Sequence, residues 1–279
     1  AICPTIHYTG LMKPARNKIN GWINLNKPLD MTSTQAVGKI KKILGMKKVG
    51  HAGTLDPLAT GVLPIAVGEA TKTVQFLQNR EKGYDFTIQW GEARDTDDAE
   101  GKIIATSDVM PTVDAITSAL PTFIGEIEQV PPKYSAIKIN GDRAYDLARE
   151  GVEFEIQSRI VNVHDLTLVS ATDTSASFSM TCGKGTYVRS LARDLALQLG
   201  TYGYITALHR TFVGGFTQEH AISFDTLMEL VDKDDAQDAL LDLGMALDDI
   251  PALSLSDKEA SRLRNGQKII FSAKPDMER

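Results

Sequence analysis

The sequence contains too few cysteines for a disulfide framework or a thiolate metal cluster. It has two, Cys3 and Cys182, and its five histidines are scattered and form no HExxH or similar zinc spacing. These absences argue against a small disulfide-rich secreted protein and against a metal-dependent hydrolase. They indicate a reducing, cytoplasmic compartment.

Long apolar runs are also absent. No run approaches the roughly 20 residues that span a bilayer, and no basic region followed by a long apolar one opens the chain. We therefore expect no membrane partner. Residues 1–11 lack clear periodicity, and we expect a cloning remnant or an unstructured arm there. The 279 residues, 42% of them hydrophobic, suit one large domain, predicted over 12–250.

Charge is distributed unevenly along the chain. Residues 13–50 carry nine Lys or Arg against one acid, Asp30, whereas residues 216–257 carry eleven Asp or Glu against Lys233. The basic stretch is either a solvated helix face or a surface that contacts phosphates. The net charge of −6 argues against a nucleic-acid partner, but this local distribution carries more weight.

The hydrophobic periodicity switches between two and 3.6 residues along the chain. It predicts strands over 21–28, 83–91, 159–170 and 175–182, and helices over 33–45, 69–79, 112–124, 142–151 and 184–200. Ser33 or Thr34 is the predicted N-cap of the first helix, and Gly45 its end. Helices inserted between separated strands predict an α+β fold with a mixed sheet rather than a doubly wound parallel one.

The stretch "HAGTLDPLATG", residues 51–61, contains a lone carboxylate, Asp56. One interpretation is a helix cap, because Pro57 follows it and could start a helical turn. The other is a nucleophile with His51 or Arg189 as its charge partner. Arg189 stands at a predicted strand-to-helix junction, and an arginine beside a carboxylate would orient it and keep it ionised.

A second glycine-containing stretch, "CGKGTY" at 182–187, places Lys184 ahead of a helix. It does not match the GxxxxGK[ST] phosphate loop, so a nucleoside triphosphate site is not expected. A backbone contact to an RNA phosphate and an ordinary turn both remain open.

Five blocks occur in the order and spacing typical of one family, over roughly residues 20–215. They are "GWINLNKPLDMTS", "KKVGHAGTLDPLATGVLPIAVGEATK", "KGYDFTIQWGEARDTDDAEG", "VPPKYSAIKINGDRAYDLAREG" and "CGKGTYVRSLARDL". The chain resembles the bacterial TruB-type tRNA pseudouridine synthases. The resemblance implies a pseudouridine synthase fold with a central, mostly antiparallel mixed sheet. It also implies isomerisation of uridine to pseudouridine at position 55 in the tRNA T-loop, by base flipping, without cofactor or metal.

The resemblance also assigns residues. Asp56 matches the attacking aspartate, Arg189 the arginine paired with it, and Tyr84 the tyrosine that stacks on the target base and assists proton removal from C5. His51 matches the histidine that occupies the place of the flipped base. Further candidates for supporting the site or contacting substrate are Lys27, Tyr134, Lys138, Lys184 and Leu208. Attack on the ribose C1′, attack on the base C6 and an elimination route all remain open.

The family usually carries a small PUA-type RNA-binding domain at its C-terminus. Residues 251–279 could supply only its beginning, so we expect an incomplete PUA-like segment, a monomer, and a core that is active with weakened tRNA affinity. An alternative is a non-catalytic tRNA-binding or tRNA-folding protein that uses the same cleft. A guide-RNA particle is a second alternative, which the bacterial-type "GEARDTDDAEG" insertion argues against.

Overall fold

A computed structural model describes residues 19–135, 137–139, 141–250, 252–270 and 277–278. The arm expected over residues 1–11 lies outside these ranges. Within them, the chain builds fifteen strands and seven α-helices around one nine-stranded sheet.

The strands are β1 Gly21–Lys27, β2 Val49–His51, β3 Ala59–Val67, β4 Lys82–Trp90, β5 Glu92–Arg94, β6 Ile103–Thr106, β7 Gly125–Gln129, β8 Lys138–Ile139, β9 Asp142–Arg143, β10 Arg159–Ala171, β11 Ser175–Cys182, β12 Gly203–Val213, β13 Phe216–Thr217, β14 Ala252–Leu253 and β15 Met277–Glu278. The helices are α1 Ser33–Leu44, α2 Val74–Gln78, α3 Val113–Ala119, α4 Ala144–Arg149, α5 Val188–Gln198, α6 Phe224–Asp232 and α7 Asp257–Arg264.

The main sheet is mixed and almost entirely antiparallel. Its order is β1-β3-β12-β4-β11-β10-β7, with β2 added to β3 and β13 to β12. Among these pairs, only β12 with β3 is parallel, over three residue pairs. The predicted α+β class with a mostly antiparallel mixed sheet is therefore confirmed.

One face of the sheet packs against helices. Tyr84, Phe86 and Ile88 alternate along β4 and share a buried cluster with Val188 and Leu191 of α5. The alternation along β4 explains why this face is apolar, and the apolar stripe of α5 covers it. As a result, the first turn of α5 lies against the centre of the sheet.

The N-cap of α1 differs from the prediction. The Thr32 hydroxyl accepts from the Gln35 backbone, and the Gln35 side chain accepts from the Thr32 backbone in a capping box. The Ser33 hydroxyl instead accepts from the Leu55 amide at 2.8 Å and donates to the Leu55 carbonyl at 3.0 Å. Gly45 ends the helix in the left-handed conformation, as predicted.

Four predicted helices are shorter than expected. In the 142–151 segment, Asp142 and Arg143 form β9 and α4 spans only Ala144–Arg149, and in the 184–200 segment α5 spans only Val188–Gln198. The 69–79 segment divides into a 3₁₀ turn and α2, since the hydroxyls of Thr71 and Thr73 donate to carbonyls three residues earlier. In the 112–124 segment, α3 ends at Ala119 and a 3₁₀ turn containing Pro121 follows. None of the helices in the described ranges is both long and apolar enough to cross a bilayer.

Candidate active site

Asp56 and Arg189 are in direct contact. Asp56 lies in the loop from β2 to β3, whose residues 53–57 we call the Asp56 loop, and its side chain is 33% exposed. Arg189 belongs to the first turn of α5, with a side chain only 5% exposed, and its Nε lies 2.9 Å from Asp56 Oδ2. Nε forms no aligned hydrogen bond within the described part of the chain, so the contact is an ion pair. The carboxylate is therefore paired and still accessible.

The Arg189 guanidinium is held independently of Asp56. Nη1 donates to the Thr96 carbonyl at 2.8 Å, and Nη2 donates to the Tyr134 carbonyl at 3.0 Å. Nη1 also lies 3.6 Å from Oδ2 of Asp98, which is buried. Burial raises the pKa of Asp98, while the hydrogen bond from Thr96 and the Arg189 charge oppose that rise. Arg189 is thus shared between two carboxylates and fixed by two carbonyls.

Lys27 supports the other end of the Asp56 loop. Its ammonium is fully buried and donates to the carbonyls of Pro28, Met31 and Pro57, at 2.8, 2.6 and 3.3 Å. Burial lowers the pKa of Lys27 to about 8, against the opposing charge of Asp56. Lys27 therefore supports the loop through backbone carbonyls, one residue from the carboxylate.

Tyr84 lies in β4 beside a buried arginine. Burial raises the pKa of the Tyr84 phenol, whereas the positive charge of Arg210 and a hydrogen bond to it oppose the rise. Arg210 is paired with Tyr84 in the register of β12 with β4. The phenol therefore stays protonated at neutral pH, within electrostatic reach of Asp56.

His51 ends β2, just before the Asp56 loop. Burial and the charge of Arg210 lower the pKa of its imidazole, so the ring is neutral at physiological pH. Its Nδ1 is buried and has no hydrogen-bond partner among the described residues. A backbone hydrogen bond with Gly53 opposes this lowering of the pKa, and the ring itself is half-buried beside the Asp56 loop.

Every residue of the Asp56 loop is held by a partner from elsewhere in the fold. Ser33 bonds Leu55 on both its amide and carbonyl, and the Asp30 amide donates to the Pro57 carbonyl at 3.0 Å. The Gly53 and Thr54 carbonyls accept from Arg210 at 3.2 and 3.5 Å. The backbone on both sides of the Asp56 carboxylate is thus fixed.

The remaining predicted residues lie at different distances from this centre. Leu208 is buried on β12, two residues before Arg210, and lines an open cleft of about 490 Å³. Tyr134 touches Arg189 through its carbonyl and lines a second cavity of about 620 Å³. Lys184 is exposed, and its ammonium donates to the Asn79 side chain at 3.3 Å. Lys138 lies in β8, and its side chain is outside what the structure describes.

Three residues of the site were not predicted from the sequence. Arg210 could have been found, because it stands two positions after Leu208 on one strand and so faces the same buried side. A charge at such a position is unusual. Asp98 had no such signal among the acids of "RDTDDAEG", and Ser33 was interpreted as a cap.

The described residues contain no group of three or more His, Cys, Asp or Glu side chains arranged to hold a metal ion. Cys182 is a buried free thiol, and burial raises its pKa to about 11. Asp56, Arg189, Tyr84, His51 and Lys27 are the ionisable candidates that the sequence predicted around this loop.

Family models match most of the chain. The model of the TruB family pseudouridylate synthase N-terminal domain matches residues 41–188, and that of the tRNA pseudouridylate synthase B C-terminal domain matches residues 189–250. A protein of Bradyrhizobium diazoefficiens named tRNA pseudouridine synthase B is 54% identical over 262 residues, which cover 92% of this chain and 76% of that protein. One of the same name from Caulobacter vibrioides is 53% identical, covering 91% and 82%.

Solved structures agree with the sequence relatives. A chain of a Cbf5-Nop10-Gar1 complex superposes with a TM-score of 0.70 at 29% identity, covering 88% of this chain and 67% of that chain. A chain of an H/ACA RNP bound to a substrate RNA containing 2'-deoxyuridine gives a TM-score of 0.69 at 26% identity, covering 89% and 67%. The resemblance found in the sequence is thereby confirmed. The chain belongs to the TruB family of pseudouridylate synthases.

Proposed function

We propose that this protein converts uridine to pseudouridine in the T-loop of tRNA, at the conventional position 55, with Asp56 as the nucleophile and without a cofactor. The relatives named tRNA pseudouridine synthase B support tRNA as the substrate. Family membership supports the reaction type. The position in the tRNA and the role of each residue are part of the proposal.

The contact between Asp56 and Arg189 is the observation that carries the mechanism. A nucleophilic carboxylate must be oriented, accessible and free of competing protons. Asp56 is one-third exposed, and its ion-pair partner is itself held by the Thr96 and Tyr134 carbonyls. If Asp56 were only a helix cap, it would not need the buried Arg189 guanidinium. Nor would its loop need the bonds that Lys27, Ser33 and Arg210 make to it.

The proposed reaction is an isomerisation, so one carboxylate is sufficient. The bond from C1′ to N1 of uracil breaks, the base rotates within the site, and a bond from C1′ to C5 forms. The C5 proton leaves and N1 gains a proton, so no atom is added from water. Water exclusion is consistent with the buried surroundings of Tyr84, whose neutral phenol would contact the base and assist the proton transfer.

Access to a stacked uridine requires base flipping, which costs a few kcal/mol of unstacking. A neutral His51 ring in the vacated space would offset part of that cost. Leu208 would contact the flipped base from β12. Lys27 would keep the loop in place, and Tyr134, Lys138 and Lys184 would contact other parts of the substrate.

In this proposal the basic stretch, residues 13–50, attracts the tRNA backbone whatever the RNA sequence. Lys41, Lys42, Lys47 and Lys48 are exposed on α1 and on the connection to β2. We further propose residues 12–250 as the catalytic domain and 251–279 as the PUA-like segment.

Tritium release from tRNA labelled at uridine C5 tests the proposal. The wild type should release about one equivalent per tRNA, and Asp56→Asn should lose at least about four orders of magnitude in rate, as removal of a catalytic nucleophile typically does. Attack on C1′, attack on C6 and the elimination route all lose the C5 proton, so the assay does not depend on the choice among them. Absence of release by the wild type, with tight tRNA binding by both proteins, would establish a binding or folding protein instead.

A further inference from the structure

Arg210 is among the largest fully buried side chains of the protein, and besides its interaction with the Tyr84 phenol its guanidinium donates to three backbone carbonyls. Nε donates to the Val62 carbonyl at 2.7 Å, Nη2 to Gly53 at 3.2 Å and Nη1 to Thr54 at 3.5 Å. Two of these carbonyls belong to the Asp56 loop and the third to β3. One guanidinium therefore spans the start of the loop and the strand that follows it.

The backbone of Arg210 adds a second connection. In the sheet register it is opposite Tyr84 on β4 and opposite Gly61 on β3. Gly61 has a φ of +97°, and a Cβ there would lie 2.3 Å from the Arg210 carbonyl oxygen. The strands approach too closely for a side chain, so a displacement of Arg210 would be transmitted to β3 and to the loop before it.

The charge of Arg210 also reaches the groups around the loop. It contributes to the lowered pKa of His51 and of Lys27, and it opposes the rise that burial causes in the pKa of Tyr84. A single buried cation therefore acts on a base-contacting ring, a supporting ammonium and a phenol. This electrostatic influence agrees with the geometry and adds to it.

We infer that Arg210 is a positioning residue of the reaction, which sets the location of the Asp56 carboxylate by bonding the Gly53, Thr54 and Val62 carbonyls. The inference rests on the proposed role of Asp56. Arg210 acts through the loop backbone, whereas Arg189 acts on the carboxylate itself. The planar guanidinium of an arginine can donate to three carbonyls at once. The ammonium of a lysine ends a shorter side chain and cannot reproduce that geometry.

Arg210→Lys is the informative variant, because it keeps the charge and a donor while changing the geometry. At saturating enzyme, its single-turnover rate of tritium release should fall at least about 30-fold, since a misplacement of about 1 Å costs on the order of 100-fold. Binding of tRNA, measured by comparing Asp56→Asn with Asp56→Asn/Arg210→Lys, should change less than about threefold. Amide exchange of peptides covering 51–61 should accelerate, with exchange elsewhere in the sheet unchanged.

Arg80→Lys is the matched control. Arg80 is a partly buried arginine paired with Asp248 and Asp249, and the same substitution there should leave the rate within about twofold. The thermal melt of each variant gives the folded fraction, to which the rates are normalised. A rate for Arg210→Lys within threefold of the wild type, a loss explained by weaker tRNA binding, or a folded fraction below one half would each overturn the inference.

The two proposals fail in different ways. If the wild type releases no tritium, the proposed function is wrong. If the wild type is active and Asp56→Asn inactive, but Arg210→Lys retains the wild-type rate, only the positioning role of Arg210 is wrong.

Discussion

Two glycine-containing loops meet the first turn of α5, and the side chains that hold them differ in burial. The Asp56 loop is bonded by buried cations, Lys27, Arg189 and Arg210. The 183–187 turn before α5 is tied at its ends, where Gly183 donates to the Asn162 carbonyl and Gln129 bonds Tyr187 in both directions. Its tip, Lys184 and Gly185, is exposed, and its bonds run to side chains at the surface: Lys184 donates to Asn79, and Arg159 donates to the Gly185 carbonyl.

The difference matches the two tasks proposed for these loops. A reacting carboxylate needs a fixed position, which buried charged donors provide because few waters compete for them. A phosphate contact tolerates variation in position, and an exposed lysine provides attraction with little ordering cost. The sequence presents both loops as short glycine-containing segments, and burial distinguishes them.

The largest effect is expected where the Asp56 loop loses its direct ion pair. Arg189→Lys cannot contact Asp56 and the carbonyls of Thr96 and Tyr134 together, so the rate of pseudouridine formation should fall by about 10³-fold. Arg193→Lys, one turn further along α5 and paired with Asp97 and Asp194, is the control and should change the rate less than about threefold. Single-turnover tritium release measures both, and equal losses would contradict the comparison.

The second-largest effect is expected on stability, where β3 and β12 approach each other closely beside the Asp56 loop. Gly61→Ala should lower the free energy of unfolding by roughly 3 kcal/mol, because the new Cβ meets the Arg210 backbone at a positive φ. Gly125→Ala on β7 has a similar φ, +93°, but open space around it, and should cost only about 1 kcal/mol. Urea denaturation of the two variants separates steric crowding from backbone strain, and similar costs would refute the distinction.

A smaller effect tests the burial of Lys27. Its pKa is about 8 in the folded protein against 10.5 for an exposed lysine. Below pH 8 both states are protonated and the burial cost is fully present. Between pH 8 and 10.5 the unfolded state binds more protons, so the free energy of unfolding should rise with pH. The rise, relative to Lys27→Met, should be about 2–3 kcal/mol. Chemical denaturation at intervals from pH 7 to 10.5 measures it, and parallel curves would show that the pKa is not lowered.

The smallest effect is expected at the exposed turn. Lys184→Gln removes one exposed cation, so tRNA affinity should weaken about two- to fivefold and the salt slope should fall by about one, with the rate at saturation unchanged. Lys233→Gln, at the single cation of the acidic 216–257 region, is the control and should leave affinity unchanged. Titrations of each variant with tRNA at several salt concentrations measure the affinity and its salt slope. A change in the rate at saturation for Lys184→Gln would show that this turn, like the Asp56 loop, affects the reaction itself and not only tRNA binding.

Strict patterns in the sequence predicted the elements that carry the site. The alternation through Tyr84, Phe86 and Ile88 predicted a strand over 83–91, and β4 spans Lys82–Trp90. The apolar stripe from Val188 to Leu199 predicted a helix over 184–200, and α5 begins only at Val188 because two glycines precede it. Such patterns are local, so they indicate which residues form an element and only loosely where it ends.

Asp56, Arg189, Tyr84 and the supporting Lys27 were identified from motifs that match a known family, whereas the supporting roles of Ser33, Asp98 and Arg210 were not. Ser33 was interpreted as a helix cap because hydroxyl residues favour that position, yet its hydroxyl bonds Leu55, 22 residues away. Asp98 could not be separated from its acidic neighbours, since only burial beside Arg189 distinguishes it. No local pattern reports contacts between distant segments.

The sequence by itself determined the mixed α+β architecture, the family and the acid at the centre of the proposed chemistry. Periodicity and motif spacing depend only on the order of residues, so they can be recognised without the fold. The resemblance also named Arg189 as the partner of that acid, but only the tertiary structure showed their contact and placed Arg210 against the loop. Arg189 and Arg210 lie more than 100 residues after Asp56, and the register of β12 with β3 and β4 places Arg210 against the loop. Burying a guanidinium is favourable only where its donors are satisfied, and that condition is met by folding rather than by sequence proximity.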